Sequence, residues 1–411
     1  MSSRTVPVRI LVVLGALSAF GPLSMDLYLP ALPALAGNLH TSAAAAQLTV
    51  TGCMLGLAAG QFFLGPVSDR YGRRIPLLLT LTAYAVASLL CAVAPSVGIL
   101  VAVRLIQGLA GGGGIVIARA MVKDLYDSDT VAWAFSMLML VSGIAPVLAP
   151  VVGGQLLHLM PWRGLFLVLS LVGCVLLAAA VAALSETLPR ERRNLGGIGA
   201  AARQVRILVE DRRFVGYTAV LGLGSVILFC YIVMSPFVLQ TGLGLGSVAF
   251  SLIFAANSIG LMIAGRVSGM LVTRFGPDRA LTVGLTMGVL ACTAFAATAI
   301  PGLPLWAMLP FLFLAVSSVA IVMPNAMALA LLTHGSRAGT ASGLMGMVQF
   351  VLGGVIGPLV SLIAATPTVM AVTMAIAAVC AAAARYGAAR VVASADSAAQ
   401  TPPTVADQAE R

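Results

Sequence analysis

Residues 65–74 read Gly65-Pro66-Val67-Ser68-Asp69-Arg70-Tyr71-Gly72-Arg73-Arg74. Four charges and two glycines are compressed into ten positions between two long runs that carry no charge. A fainter copy lies 204 residues on, where Gly269, Leu271, Thr273-Arg274 and Gly276 repeat Gly65, Val67, Asp69-Arg70 and Gly72 in order and spacing. One polar loop thus marks the same place in two halves of one chain, which predicts a duplicated architecture.

The runs around the loop set the solvent. The chain is 60% hydrophobic and 9% charged, with a mean hydropathy of +1.06, whereas a water-soluble domain carries about 25% charged residues. Too little polar surface remains to coat a globule of 411 residues in water, so the surroundings are read as a lipid bilayer. A net charge of +10 would suit nucleic acid, but the cations are confined to short gaps between apolar runs, and no nucleic-acid partner is expected. The six cysteines all fall inside apolar runs without a C-x-x-C pair, so they are read as small buried hydrophobes rather than disulfides or metal ligands.

A helix needs ~20 mostly apolar residues to cross a bilayer. About twelve such runs are present, near 9–34, 44–65, 75–94, 98–119, 131–156, 164–184, 214–239, 247–269, 280–300, 304–332, 338–363 and 367–388. The first lacks a small-residue cleavage site and continues into Asp26 and Pro30, so it is read as a retained helix. Arginines crowd alternate gaps, while the remaining gaps hold only Arg163. By the positive-inside rule, both termini are expected to be cytoplasmic. The charged gap 185–213 divides the spans six and six. The expected organisation is therefore an N-terminal six-helix half (1–184), a cytoplasmic linker (185–213), a C-terminal six-helix half (214–390) and a disordered tail (391–411).

The motif Gly65-x-x-x-Asp69-Arg70-x-Gly72-Arg73-Arg74 between the second and third spans resembles the signature loop of the major facilitator superfamily. Within it, the chain is most similar to the bicyclomycin-resistance (Bcr/CflA-type) branch of drug:proton antiporters. Supporting motifs are Pro22-Leu-Ser-Met-Asp26-Leu-Tyr28-Leu-Pro30 in span one, Arg104-Leu-Ile-Gln107-Gly108 in span four, and Ala145-Pro146…Ala149-Pro150-Val-Val-Gly153-Gly154 in span five. Glu186-Thr-Leu-Pro189 after span six and Ala338-Gly-Thr-Ala-Ser342 opening span eleven add to them. Ala149 stands where the family usually has glycine. The resemblance implies an all-α membrane protein of twelve transmembrane helices in two six-helix halves related by pseudo-two-fold symmetry. It further implies a monomer in the bacterial inner membrane that exports small lipophilic molecules in exchange for protons, without cofactor or metal. A metabolite transporter of the same fold is the alternative. An enzyme is not expected, since no catalytic or nucleotide-binding constellation accompanies the motifs; Gly108–Gly114 lacks the Lys-Ser/Thr ending and reads as helix packing.

Of thirteen acids, Asp26 alone lies well inside a span. A carboxylate there costs roughly 2.5–3.5 kcal/mol on insertion scales, which marks it as a functional candidate. Asp26 lies ~24 Å along span one, and Arg104 sits at a similar depth in the oppositely running span four. Two readings follow: a proton-coupling pair in a central cavity, or a structural ion pair or helix cap. Tyr28, Gln47, Gln107, Tyr231, Asn257, Asn325 and Gln349 are the intramembrane polar groups expected to line the substrate cavity. Gly143, Pro146, Pro150, Gly153 and Gly154 are read as one face of span five, the family's antiporter helix motif, suited to close packing between halves. The loop residues Gly65, Asp69, Arg70, Gly72, Arg73 and Arg74 are assigned to gating, with the second half's copy as the weaker latch.

Overall fold

A computed structural model of the chain describes residues 8–126, 130–193, 205–332 and 338–400. All regular structure among them is helical. Ten helices are long and apolar enough to cross a membrane, and the bent first span makes eleven. One of the ten, Ser247–Ala299, has 53 residues. At 1.5 Å per residue it would measure ~80 Å, far beyond a ~30 Å hydrocarbon core. It breaks at Gly276, whose φ of 82° and ψ of 165° are not helical. Counting 247–275 and 277–299 as separate crossings gives twelve.

Those crossings are a broken first span followed by eleven more helices. The second is Ala43–Tyr71, the third Arg74–Ala92, the fourth Val97–Leu125, the fifth Val131–Leu156 and the sixth Trp162–Ala183. The seventh is Arg212–Ser235, continued by a π-helical turn Pro236–Gly242; the eighth and ninth flank Gly276. The tenth is Leu305–Leu331, the eleventh Ala338–Ser361 and the twelfth Pro367–Gln400. Side-chain caps open several: Ser42 and Ser96 accept from Ala45 N and Ile99 N, and Asp211 from Arg213 N.

The first span consists of Val8–Ser18, Phe20–Asp26, a 3₁₀ turn Leu29–Ala31 and Leu32–Asn38. It bends by 42° after Ser18. The cause is local: Pro22 has no N–H to give the Ser18 carbonyl, and Pro30 and Pro33 interrupt the ladder again at the 3₁₀ turn. The expected span 9–34 therefore runs on to Asn38.

Within the first half, the second span packs on the fourth, and the third packs on the fourth and sixth. The second–fourth contact is made by glycine. A Cβ added at Gly108 or Gly112 would strike the carbonyl of Cys53 or Leu57, and one at Gly56 or Gly60 that of Leu105 or Leu109. The glycine run of the fourth span is thus a packing surface. Between halves, the second span meets the eleventh and the fifth meets the Ser247–Ala299 run.

One expectation is corrected. The tail from 391 was read as disordered, yet the twelfth helix continues to Gln400. Alanine, the best helix former, dominates 381–400, and the first proline after the helix is Pro402. Residues 401–411 lie outside the described residues.

Candidate functional site at the junction of the two halves

Asp26 closes the second piece of the first span, where the helix gives way to the Leu29–Ala31 turn. It is buried, with 5% of its surface exposed. Among the described residues its carboxylate has no hydrogen-bond or ion-pair partner. Four residues further along the same span, the Pro30 carbonyl accepts from Gln240 Nε2 of the second half at 3.1 Å. The Tyr231 hydroxyl accepts from Asn257 Nδ2 of the eighth span at 3.1 Å, and its ring stacks on Phe254 at 5.3 Å. Asn257 Oδ1 is buried without a partner. Among the described residues, the Asp26 carboxylate in the first half and the Asn257 amide oxygen in the second are therefore both buried without a partner.

The sequence leaves open whether Arg104 pairs directly with Asp26, and Arg104 finds other partners. It is fully buried in the first half. Its guanidinium lies over the Tyr28 ring at 4.3 Å and the Phe166 ring at 5.6 Å. Nε donates to the Thr49 carbonyl at 3.2 Å, and Nη1 to Gln107 Oε1 at 2.5 Å. Gln107 Nε2 in turn donates to Ser88 Oγ at 2.6 Å. The Tyr28 hydroxyl donates to Thr49 Oγ1 at 2.9 Å, because the Thr49 proton is used on the Ala46 carbonyl. Spans one, two, three, four and six thus meet on one cation. Among the described residues no Asp26–Arg104 ion pair forms; the guanidinium is taken up by Thr49, Gln107 and the two rings. Arg104 reaches Asp26 only through Tyr28, two residues along the same turn.

The seven expected cavity residues fall into separate groups of contacts. Tyr28 and Gln107 belong to the Arg104 cluster. Tyr231 and Asn257 bond each other in the second half. Asn325 ties the tenth span to the eighth, donating to Ser268 Oγ at 2.9 Å and to its own Ile321 carbonyl. The Gln349 carbonyl accepts from Ser225 Oγ on the seventh span at 3.1 Å. Gln47 is fully buried, with both amide atoms unpartnered.

Span five divides its expected single face between two neighbours. A Cβ at Gly153 would strike the Leu27 carbonyl of the first span, and one at Gly154 would lie 2.5 Å from Ser251 Oγ of the eighth. Gly143 faces open space. Ser258 Oγ donates to the Pro146 carbonyl at 3.3 Å and Ser251 Oγ to the Pro150 carbonyl at 2.8 Å. On the other side of the junction, Thr51 Oγ1 donates to the Gly354 carbonyl at 2.5 Å. Residue types alone did not single out Thr51, Ser251 or Ser258; hydroxyls opposite intrahelical prolines were the available signal.

The loop at 65–74 is mostly helix: the second span runs to Tyr71, so Gly65 makes no turn and only Gly72 does. Gly72 has φ 96° and ψ 166°, matching Gly276 across the repeat. A side chain at Gly72 would also collide with the Glu186 carboxylate. Arg73 bridges Asp69 at 2.5 Å and Asp124 at 3.0 Å, and donates to Ser68 Oγ. Arg70 lies over the neighbouring Tyr71 ring. Glu186 accepts from the backbone N–H groups of Arg73 (2.8 Å), Arg74 (3.2 Å) and Leu188 (2.9 Å). These ties hold the loop to its own half. In the repeat, among the described residues, Thr273 bonds its own helix at Met270, while Asp278 pairs with Arg385 at 2.5 Å.

The model of the Major Facilitator Superfamily matches residues 14–358. The chain belongs to this superfamily. Among curated relatives, this facilitator is 35% identical to the "Uncharacterized MFS-type transporter YdgK" of Bacillus subtilis over 91% of its own length and 94% of that protein. It is 30% identical to the "Bicyclomycin resistance protein homolog" of Haemophilus influenzae, over 85% and 88% of the two chains. Among solved structures, a mutant form of the nucleoside transporter NupG superposes with a TM-score of 0.73 at 14% identity, covering 93% of this chain and 99% of that one. The facilitator is a multi-pass membrane protein whose relatives include drug-resistance transporters.

Proposed function

We propose that this facilitator is a proton-coupled antiporter that exports small, mostly lipophilic drugs across the bacterial inner membrane by alternating access. In this reading it works as a monomer without a cofactor, with both termini in the cytoplasm. Asp26 is the proton carrier. The observation that carries this is a buried carboxylate with no partner among the described residues, four residues before Pro30, whose carbonyl is bonded across the junction of two halves that must rock against each other. A permanent ion pair would lock its charge; an unpaired carboxylate is free to exchange a proton for substrate contacts. Arg104 acts as a positioning residue, fixing the turn that carries Asp26 through Tyr28 and Thr49.

One proton moving through 100 mV supplies ~2.3 kcal/mol, roughly a fifty-fold drug gradient for a neutral cargo. The test is drug exchange in proteoliposomes under an imposed pH gradient, comparing wild type with Asp26→Asn. The variant is expected to bind drug and to lose exchange driven by the gradient. Exchange that still follows the gradient in the variant would overturn the assignment. A panel of lipophilic drugs and metabolites in the same vesicles defines the cargo class; transport of one metabolite and no drug would overturn the export reading.

A further inference from the structure

A groove of about 650 Å³ runs between the ninth and tenth spans, away from the junction of the halves. Its lining includes Thr282, Thr286, Met287 and Leu290 from the ninth span and Phe311 and Leu314 from the tenth. Thr282, Thr286, Leu290 and Leu314 are exposed on the outer surface of the bundle, where the surroundings are hydrocarbon. From Thr282 to Ala294 the ninth span rises ~18 Å, more than half of a ~30 Å core. If a methylene takes about the ~30 Å³ of a water molecule, the groove has room for on the order of twenty carbons, one acyl chain.

The end of the groove near Gly276 carries a charge. Arg279 sits three residues past the break, and positions 279, 283, 286 and 290 follow the i, i+4, i+7, i+11 rule of one helix face. Arg279 is exposed and has no acid partner among the described residues. The adjacent Asp278 does not neutralise it, because Asp278 is engaged by Arg385 at 2.5 Å. Arg279 also lies in the first turn of its helix, where the dipole adds to attraction for an anion. A cation at headgroup depth above an apolar slot is the chemistry that selects a charged lipid from its neighbours.

We propose that the groove between the ninth and tenth spans is a binding site for an anionic phospholipid. One acyl chain lies along Thr286 and Leu290, and the phosphate rests on Arg279. The site belongs to this half alone: the equivalent of Arg279 in the first half, 204 residues earlier, is Ile75. It does not depend on the transport reading.

The experiment is native mass spectrometry of the purified full chain titrated with phosphatidylglycerol or phosphatidylcholine of matched acyl chains. Wild type is expected to retain phosphatidylglycerol preferentially. Arg279→Gln should weaken phosphatidylglycerol about five-fold, the effect of one interfacial cation, and weaken phosphatidylcholine less, since choline offsets its phosphate charge. Arg279→Lys should keep the preference. Thr286→Phe, which fills the slot, should weaken both lipids. Size-exclusion profiles of the variants establish that each is folded. Equal retention of the two lipids by wild type, or an unchanged preference in folded Arg279→Gln, would overturn the proposal. Displacement of phosphatidylglycerol by drug in wild type would also overturn it, by making the groove a substrate path.

Discussion

Arg104 is a buried cation with no carboxylate beside it, which is a costly arrangement unless other groups stand in for water. Here two aromatic faces, the Thr49 carbonyl and the Gln107 amide do so, and Gln107 is itself held by Ser88. The planar guanidinium suits stacking and a forked donor set, which an ammonium does not reproduce. Tyr28 separates these contributions. Tyr28→Phe keeps the ring over Arg104 and loses only the bond to Thr49, so it should cost about 1 kcal/mol. Tyr28→Ala also removes the cation–π contact and leaves a cavity, for a loss of about 3–5 kcal/mol. Melting temperatures in detergent should fall slightly for the first variant and steeply for the second; equal falls would remove the ring from the account. Much of this site was legible in the chain. Asp26, Arg104, Gln107 and Tyr231 stand out because polar groups in apolar runs are few. Their grouping was not legible, because depth follows from the helical rise while azimuth depends on how Pro22 and Pro30 bend the first span.

At the scale of the helix, the prolines explain where the halves touch. A proline withholds its N–H from the carbonyl four residues earlier. Pro150 frees Pro146, which accepts from Ser258; Pro358 frees Gly354, which accepts from Thr51; and Pro22 frees Ser18, which accepts from Ser142. The first two cross between halves, and they are related by the duplication, the fifth span answering to the eleventh and the second to the eighth. In lipid a freed carbonyl has no water to turn to, so a neighbouring hydroxyl takes it. Thr51→Val and Ser258→Ala each leave one such carbonyl unpaired and should destabilise the described conformation by about 1 kcal/mol. Cysteine cross-linking between the second and eleventh spans should then fall in Thr51→Val, with expression unchanged. Undiminished cross-linking would show that the bond does not hold the halves. The proline positions were plain in the sequence; their partners were not, since a hydroxyl on an apolar helix carries no periodic signal.

Across the whole molecule, the duplication is preserved in geometry and altered in chemistry. Gly72 and Gly276 adopt the same left-handed turn, yet the contacts beyond them differ. In the first half Arg74 reaches the Val181 carbonyl; 204 residues on, the same two positions are Asp278 and Arg385, joined as an ion pair. The first half instead relies on Glu186, which fastens the start of the third span to the segment after the sixth. Burial of Glu186 works against its charge but is outweighed by the N–H groups of Leu188, Arg73 and Arg74 and by the Arg193 guanidinium, so its carboxyl titrates below the ordinary glutamate value. A depressed value in the folded state means that the stabilisation is present above the unfolded pKa of ~4.3 and is lost as pH falls through the folded value. The melting temperature of the detergent-solubilised protein should therefore be level from pH 8 to about 5 and decline below about pH 4. Asp69 and Asp124 also hold Arg73 beside the same clamp, so the comparison that isolates it is with Glu186→Gln. That variant should melt lower than wild type at about pH 7, with the gap closing as the pH is taken below about 4. A gap that stays constant with pH would mean that Glu186 acts through packing and not through its charge.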